Sequence, residues 1–307
     1  MNVENIERID FYFDTSAINN LYKYLIEIKK DPLEWAKKFR HKYSILISAI
    51  NIAEICATSV PELRENLLRF CYELLQGEKG EDKYLPADFP FELLKRALIS
   101  YLYRKNKKEF RVNINLEENK GLWITLLDPT QVDEEARKEC WKYCEDQKNW
   151  YETMHLEGRE ALQSEIQSTD EYESEEKFMQ YANSFSAQQA LLGRIISEIL
   201  KELSKAIEVI GEEALIKGLL QGVCIWRSFY YTLMYEIYHR GIKRQNYGKH
   251  KNPGSLDIQQ AVYLCFAKTF VTHDQALLNH LKSIIKHSGI DTEVWDFQYF
   301  IDRISIT

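Results

Sequence analysis

Four acidic residues lie where predicted strands end or predicted helices begin, in two distant parts of the sequence. Asp14 and Asp274 each follow a short apolar stretch of strand length, while Glu54 and Asp257 lie near the starts of helices. In a parallel sheet with right-handed crossovers, the ends of the strands and the starts of the following helices meet at one edge. The pattern therefore predicts that four carboxylates converge there.

Converging carboxylates predict a particular chemistry. Like charges at close range raise one another's pKa, so several acids stay ionised together only when a cation compensates them. A set of oxygen ligands favours Mg²⁺ or Mn²⁺ over zinc or copper. Two such ions activate water, stabilise a leaving oxygen and hydrolyse a phosphodiester by in-line displacement. We therefore expect a site for two divalent cations that cleaves phosphodiesters.

The elements that position these acids are short strands alternating with helices at both ends of the chain. Strands are predicted over residues 9–13, 43–49, 269–274 and 292–296. Side chains that accept hydrogen bonds from a first helical turn predict N-caps at Thr15 or Ser16, at Asn51 and at Ser255. The alternation predicts one α/β domain with a parallel sheet, built from both ends of the chain.

Residues 61–240, between those ends, have an almost wholly helical pattern. Apolar residues recur at helical spacing, and the segments 187–210 and 215–238 are each predicted to form one long helix. We interpret the stretch as a helical module inserted into the α/β domain. The predicted organisation is a first half over 1–60, a helical insertion over 61–240 and a second half over 241–307.

Length, charge and composition limit the classes of protein that fit. The 307 residues are 45% hydrophobic, which is ample for a buried core. A formal charge of −7 excludes a protein that is basic throughout, so any contact with nucleic acid requires a local patch. The lack of a long apolar run and a polar, acidic start predict a cytoplasmic protein with no membrane contact. The six cysteines are expected to be small buried residues in a reducing compartment.

A basic segment before the third acid is a candidate substrate-binding loop. Cations and one aromatic residue lie there among glycine, asparagine and proline: Lys243, Arg244, Tyr247, Lys249 and Lys251. Such a loop grips phosphates and stacks a base on its aromatic ring, although a solvated loop between domains has the same composition. A second basic and aromatic run over residues 104–111 is interpreted as a solvated face, with contact to substrate as the alternative.

Four runs resemble, in order, the acidic motifs of PIN-domain nucleases: Phe13-Asp14-Thr15-Ser16-Ala17, Asn51-Ile-Ala-Glu54, Asp257-Ile-Gln-Gln-Ala and Phe270-Val-Thr-His-Asp274. The resemblance implies a three-layer α/β/α fold and metal-dependent endonuclease chemistry on single-stranded RNA. It covers the two ends of the chain. The helical stretch between the second and third acids departs from the family, whose compact members have only a few helices there.

The resemblance also implies roles for individual residues. Asp14, Glu54, Asp257 and Asp274 are implied as catalytic metal ligands. Hydroxyl groups beside them are implied to orient a ligand or a metal-bound water: Thr15, Ser16 and Thr272. The implied cofactor is Mg²⁺ or Mn²⁺ and the implied partner is single-stranded RNA.

Two other functions are compatible with the same residues. A structure-specific DNA nuclease uses similar acids, and a catalytically silent module would use its helices to bind RNA or a protein. Retention of four mutually repelling carboxylates favours an enzyme over a silent module. The choice between RNA and DNA, an inhibitory protein partner of the kind that restrains toxins, and the oligomeric state are left open by the sequence.

Overall fold

A computed structural model describes residues 9–75, 88–105, 125–165, 174–201, 211–242 and 254–304. Most of these residues are helical, and they surround one sheet of four parallel strands in the order β2-β1-β3-β4. The strands are β1 (Ile9–Phe13), β2 (Ile45–Leu46), β3 (Ala267–Thr272) and β4 (Glu293–Asp296). No helix in these ranges has both the length and the apolar character needed to cross a membrane.

Thirteen α-helices are defined within those ranges. They are α1 (Thr15–Glu27), α2 (Pro32–Arg40), α3 (Ala49–Ala57), α4 (Pro61–Leu75), α5 (Pro90–Lys105), α6 (Glu134–Glu165), α7 (Glu175–Tyr181), α8 (Phe185–Lys201), α9 (Glu212–Gly222), α10 (Cys224–Glu236), α11 (Ser255–Gln259), α12 (Gln275–Ser288) and α13 (Phe297–Ile304). Short 3₁₀ segments cover Pro129–Gln131 and Gln260–Cys265, and a π-helical turn covers Ile237–Ile242.

The sheet joins the two ends of the chain, as the sequence predicts. Phe11 on β1 is in register with Ile45 on one side and with Thr269 on the other, and Thr269 is in turn in register with Glu293. Since all pairs are parallel, the carboxyl ends of the strands lie along one edge. The predicted first strand is confirmed residue for residue, whereas β2 is shorter than predicted because Ser48 already caps the next helix.

One continuous apolar core connects the sheet to the helices of the middle of the chain. Fully buried aromatic side chains come from both parts, among them Tyr12, Phe270, Phe70 and Trp226. The indole of Trp226 also donates a hydrogen bond to the carbonyl of Leu94 at 3.1 Å. Between residues 61 and 240 the described residues are mostly helical, which confirms the helical character predicted for the middle of the chain.

The prediction of one helix over 215–238 is wrong. Helix α9 ends at Gly222 and α10 begins at Cys224, with Val223 between them in an extended conformation (φ −129°, ψ 98°). Glycine is a poor helix former, and a β-branched residue such as Val223 favours the extended conformation. The predicted helix over 187–210 is described as α8, and its last residues lie outside the described ranges.

The expectation that the six cysteines are small buried residues in a reducing compartment is wrong for two of them, which are bonded to each other and only partly buried. Cys224 at the start of α10 and Cys265 before β3 form a disulfide, with 5.7 Å between their Cα atoms. The other four are free and buried, as predicted: Cys56, Cys71, Cys140 and Cys144.

A second group of charged residues, which we call the glutamate–histidine cluster, lies between α7, α10 with its π-helical turn, and α12. It consists of Glu175, Glu236, His239, Arg240, His280 and His287. Carboxylate oxygens of Glu175 lie 3.1 Å from His239 Nε2 and 3.5 Å from His287 Nε2. Glu236 lies 3.2 Å from Arg240 Nη1 and 3.2 Å from His280 Nε2.

Candidate functional site

The four predicted acids lie along the carboxyl edge of the sheet, which we call the acidic edge: Asp14, Glu54, Asp257 and Asp274. Asp14 directly follows β1, is 1% exposed and accepts a hydrogen bond from the N–H of Ala17 at 2.7 Å. Asp274 follows β3 and accepts from the N–H of Ala276 at 2.7 Å. Both therefore serve as N-caps, and the prediction that Thr15 or Ser16 caps the first helix is wrong.

Hydroxyl groups hold the Asp14 carboxylate in place. Thr272 Oγ1 donates to one of its oxygens at 2.6 Å, and Ser16 Oγ lies 2.9 Å from both oxygens. Thr272 Oγ1 also accepts from the N–H of Asp274 at 3.0 Å. This hydroxyl therefore contacts two of the four acidic residues, which follow the two central strands β1 and β3.

Glu54 is held from the opposite side. Thr15 Oγ1 donates to Glu54 Oε2 at 2.5 Å, and Asn51 Nδ2 donates to Thr15 Oγ1 at 3.1 Å. Asn51 was predicted as the N-cap of α3, but Ser48 is the cap and the two side chains form a capping box. The shift matters because it turns the Asn51 amide towards Thr15.

Asp257 lies in the first turn of α11, as predicted, but Gly254 and not Ser255 precedes the helix as its cap. Its carboxylate accepts from the N–H of Gly254 at 3.1 Å. Helix α11 packs against α6 from the middle of the chain. Gln259 Nε2 donates to the carbonyl of Gln147 on α6 at 3.2 Å, so a long helix is fixed beside this acid.

Burial and mutual repulsion raise the pKa of three of the acids. Burial raises the pKa of Asp14 to about 7, although its hydrogen bonds act in the opposite direction. Burial and then the charge of Asp257 raise the pKa of Glu54 to about 8. Burial and then the charge of Asp274 raise the pKa of Asp257 to about 6. The ammonium group of Lys148 on α6 lowers the pKa of both Glu54 and Asp257.

These carboxylates are close enough to act on one another but do not form a coordination shell as they are placed. Across the described ranges, no three Asp, Glu, His or Cys side chains are arranged to hold a metal ion. Each acid instead faces its own hydroxyl or backbone donor. The donor chemistry fits Mg²⁺ or Mn²⁺, because it consists of oxygen ligands with excess negative charge. Their role as metal ligands stays a prediction.

The predicted substrate-binding residues lie in a part of the chain that the structure does not describe. Lys243, Arg244, Tyr247, Lys249 and Lys251 lie outside the described residues. Of the second basic run, Arg104 is exposed and 3.3 Å from Ser100 on its own helix, and residues 106–111 are not described.

The structure adds a residue that the sequence pattern did not single out. Lys148 lies within residues 61–240, for which the sequence predicts only helices. Periodicity places it on the same helix face as Trp141, but the direction of that face depends on how α6 packs against α3 and α11.

Comparisons with known proteins do not assign a function to this chain. No family model, curated protein or solved structure matches this chain. The likeness to PIN-domain nucleases therefore stays an interpretation of the four motifs, and the placement of their acids at one sheet edge carries the functional argument.

Proposed function

We propose that the protein is a divalent-metal-dependent endoribonuclease that hydrolyses phosphodiester bonds of single-stranded RNA at the acidic edge. In this proposal the sheet and its flanking helices form a PIN-like three-layer α/β/α domain, and the helical stretch 61–240 is inserted into it. The observation that carries the proposal is the convergence of Asp14, Glu54, Asp257 and Asp274 on one edge of the sheet.

The arrangement of these acids is costly for the fold, which supports a functional role. Buried carboxylates without cationic partners lose hydration, and like charges repel one another. Asp14 is almost fully buried and faces hydroxyl groups and a backbone N–H, with the charge of Asp257 adding to the cost. A site that binds divalent cations recovers that free energy on binding.

Each side chain has a distinct task in this chemistry. The four carboxylates would hold Mg²⁺ or Mn²⁺, and such ions supply an activated water and stabilise the leaving oxygen. Thr272 and Ser16 fix the orientation of the Asp14 carboxylate, while Thr15 does so for Glu54. The choice of RNA over DNA follows the resemblance of the motifs to single-strand ribonucleases, so both polymers belong in the test.

The deciding experiment compares wild type with Asp14→Asn on labelled single-stranded RNA and DNA, in Mn²⁺, in Mg²⁺ and in EDTA. Cleavage of RNA should require the metal. In Asp14→Asn it should fall by more than about 100-fold, because even partners of metal ligands contribute 10- to 100-fold. Asp31→Asn is the matched control, since Asp31 is the exposed N-cap of α2.

The control should retain wild-type cleavage. Equal activity of wild type and Asp14→Asn, or cleavage that persists in EDTA, would contradict the proposal. Metal-dependent cleavage of DNA alone would support the structure-specific DNA nuclease instead. Circular dichroism and thermal unfolding of both variants show whether a loss of cleavage reflects a loss of folding.

A further inference from the structure

Helix α6 places a cation beside the acidic edge. It packs against α3 and α11, the helices that carry Glu54 and Asp257. The positive charge of Lys148, in the middle of α6, acts on both of these acids. A polyanion that approaches the acidic edge therefore meets a positive charge supplied by the middle of the chain.

An exposed aromatic ring lies next to that cation. Trp141 precedes Lys148 by two helical turns and so shares its face of α6. Lys148 Nζ lies 5.6 Å from the centre of the Trp141 ring, and 54% of Trp141 is exposed. Ring and ammonium thus form one surface on α6, and we call it the Trp141–Lys148 surface.

Among the described residues, the direct contacts of these two side chains are exposed to solvent. Lys148 forms an ion pair with Glu145 at 2.8 Å, but both side chains are about 40% exposed. Exposed ion pairs contribute little to stability, so a phosphate competes readily for the ammonium. An exposed tryptophan next to a cation is the combination that binds a base and its neighbouring phosphate.

We propose that the Trp141–Lys148 surface binds the single-stranded substrate beside the acidic edge, with a base stacked on Trp141 and a phosphate paired with Lys148. This inference rests on the proposed nuclease function and specifies its substrate class. A ring stacks only on a base whose face is accessible, and in a duplex both faces are covered by neighbouring pairs. The surface therefore selects unpaired nucleic acid.

The first test measures binding of fluorescein-labelled oligouridine of about 12 nucleotides to the full-length protein by anisotropy in EDTA. Trp141→Ala should weaken binding roughly 5- to 150-fold, which is the range for one lost base stack. Tyr72→Ala is the matched control, since Tyr72 is an exposed aromatic residue on α4. The control should leave the dissociation constant unchanged. A hairpin duplex should bind wild type and Trp141→Ala with the same affinity.

The second test uses the dependence of binding on salt. Lys148→Ala should weaken binding several-fold and reduce the slope of log K against log salt by about 0.7, as expected for one lost single-strand phosphate contact. Lys148→Arg should retain the slope because it keeps the charge. Lys142→Ala is the matched control for an exposed lysine on the same helix.

Cleavage in Mn²⁺ separates this inference from the proposed function. A raised KM with little change in kcat in Trp141→Ala supports the surface as a binding site. If wild type cleaves RNA and both variants behave like their controls, the inference is overturned and the nuclease function stands. Trp141-dependent binding without metal-dependent cleavage overturns only the nuclease function, and wild type that binds no single strand overturns both.

Discussion

The acidic edge and the glutamate–histidine cluster both contain poorly exposed carboxylates, but they compensate them differently. Glu175 faces two histidines from two other segments, and burial is outweighed by these partners and by Ser283, so its pKa falls to about 2. Asp14 faces hydroxyl groups and a backbone N–H, and burial raises its pKa to about 7. The glutamate–histidine cluster supplies cationic partners for its carboxylates, although burial still raises the pKa of Glu236 to about 7 against the effect of Arg240. The acidic edge supplies only neutral donors and one lysine at its border.

The difference indicates which region stabilises the fold, and it supports the proposal that the acidic edge binds a ligand. In the glutamate–histidine cluster, Glu175 on α7 pairs with His239 of the π-helical turn and with His287 on α12. Arg240 of the same turn pairs with Glu236 on α10, so its removal leaves a buried carboxylate without its cationic partner. At the acidic edge the uncompensated charge is already present. We expect substitutions that neutralise charge to have opposite effects on stability in the two regions.

The largest effect is expected at Arg240. Its guanidinium lies 3.2 Å from Glu236, which is 1% exposed, and 3.0 Å from Glu152. Arg240→Ala should lower the free energy of unfolding by about 3 kcal/mol, because breaking a buried pair leaves a buried carboxylate alone. Urea unfolding near pH 8 measures it.

Arg194→Ala is the control, since its pair with Glu157 has a largely exposed guanidinium and should cost less than about 1 kcal/mol. The loss in Arg240→Ala should shrink near pH 5. Burial already raises the pKa of Glu236 to about 7, so it takes up a proton as the pH falls. A loss of the same size at both pH values would contradict the claim that the loss comes from the unpaired carboxylate of Glu236.

Neutralising the acidic edge should instead stabilise the protein. Glu54 and Asp257 have raised pKa values in the folded state, so their stabilising contribution is complete below pH 4 and is lost as pH rises through about 6 to 8. The free energy of unfolding of Glu54→Gln and of Asp257→Asn should therefore exceed that of wild type by roughly 1–3 kcal/mol at about pH 8.5 in EDTA. The gain should vanish near pH 5.

Glu65→Gln, an exposed acid on α4, should show no gain at either pH. If the acidic edge binds metal as proposed, adding Mn²⁺ at the higher pH should raise the melting temperature of wild type more than that of Glu54→Gln, because Glu54→Gln lacks one of the ionised ligands. A destabilised Glu54→Gln at high pH would mean that this acid has a cationic partner and serves the fold.

Much of the acidic edge follows from the sequence. The alternation of short apolar strands and helices located β1 and β3, and with them Asp14 and Asp274 at adjacent strand ends. Right-handed crossovers between parallel strands leave few ways to connect such elements, so the approach of Glu54 and Asp257 to the same edge was predictable.

The caps and the long-range pairs were not predictable. Asp14, Ser48 and Gly254 precede their helices as caps, each one to three residues before a predicted cap. For Asp14 and Ser48, the position at which the strand ends decides which side chain meets the first N–H groups. The glutamate–histidine cluster and Lys148 depend on how helices far apart in the chain face one another. Helical periodicity defines a face but not the neighbour against which it packs.

The smallest expected effect is at Thr272, whose hydroxyl donates to Asp14 at 2.6 Å and accepts from the N–H of Asp274 at 3.0 Å. Thr272→Val keeps the buried shape and removes both hydrogen bonds, so it should lower the free energy of unfolding by about 1–2 kcal/mol. Loss of a donor that favours the ionised form should also raise the pKa of Asp14 further, and the pH dependence of RNA cleavage should move to higher pH. Thr272→Ser keeps the hydroxyl and should restore the wild-type profile. If the Val and Ser variants cleave with the same pH profile, the hydroxyl of Thr272 does not influence the ionisation of Asp14. The neutral donors would then not explain why the acidic edge differs from the glutamate–histidine cluster.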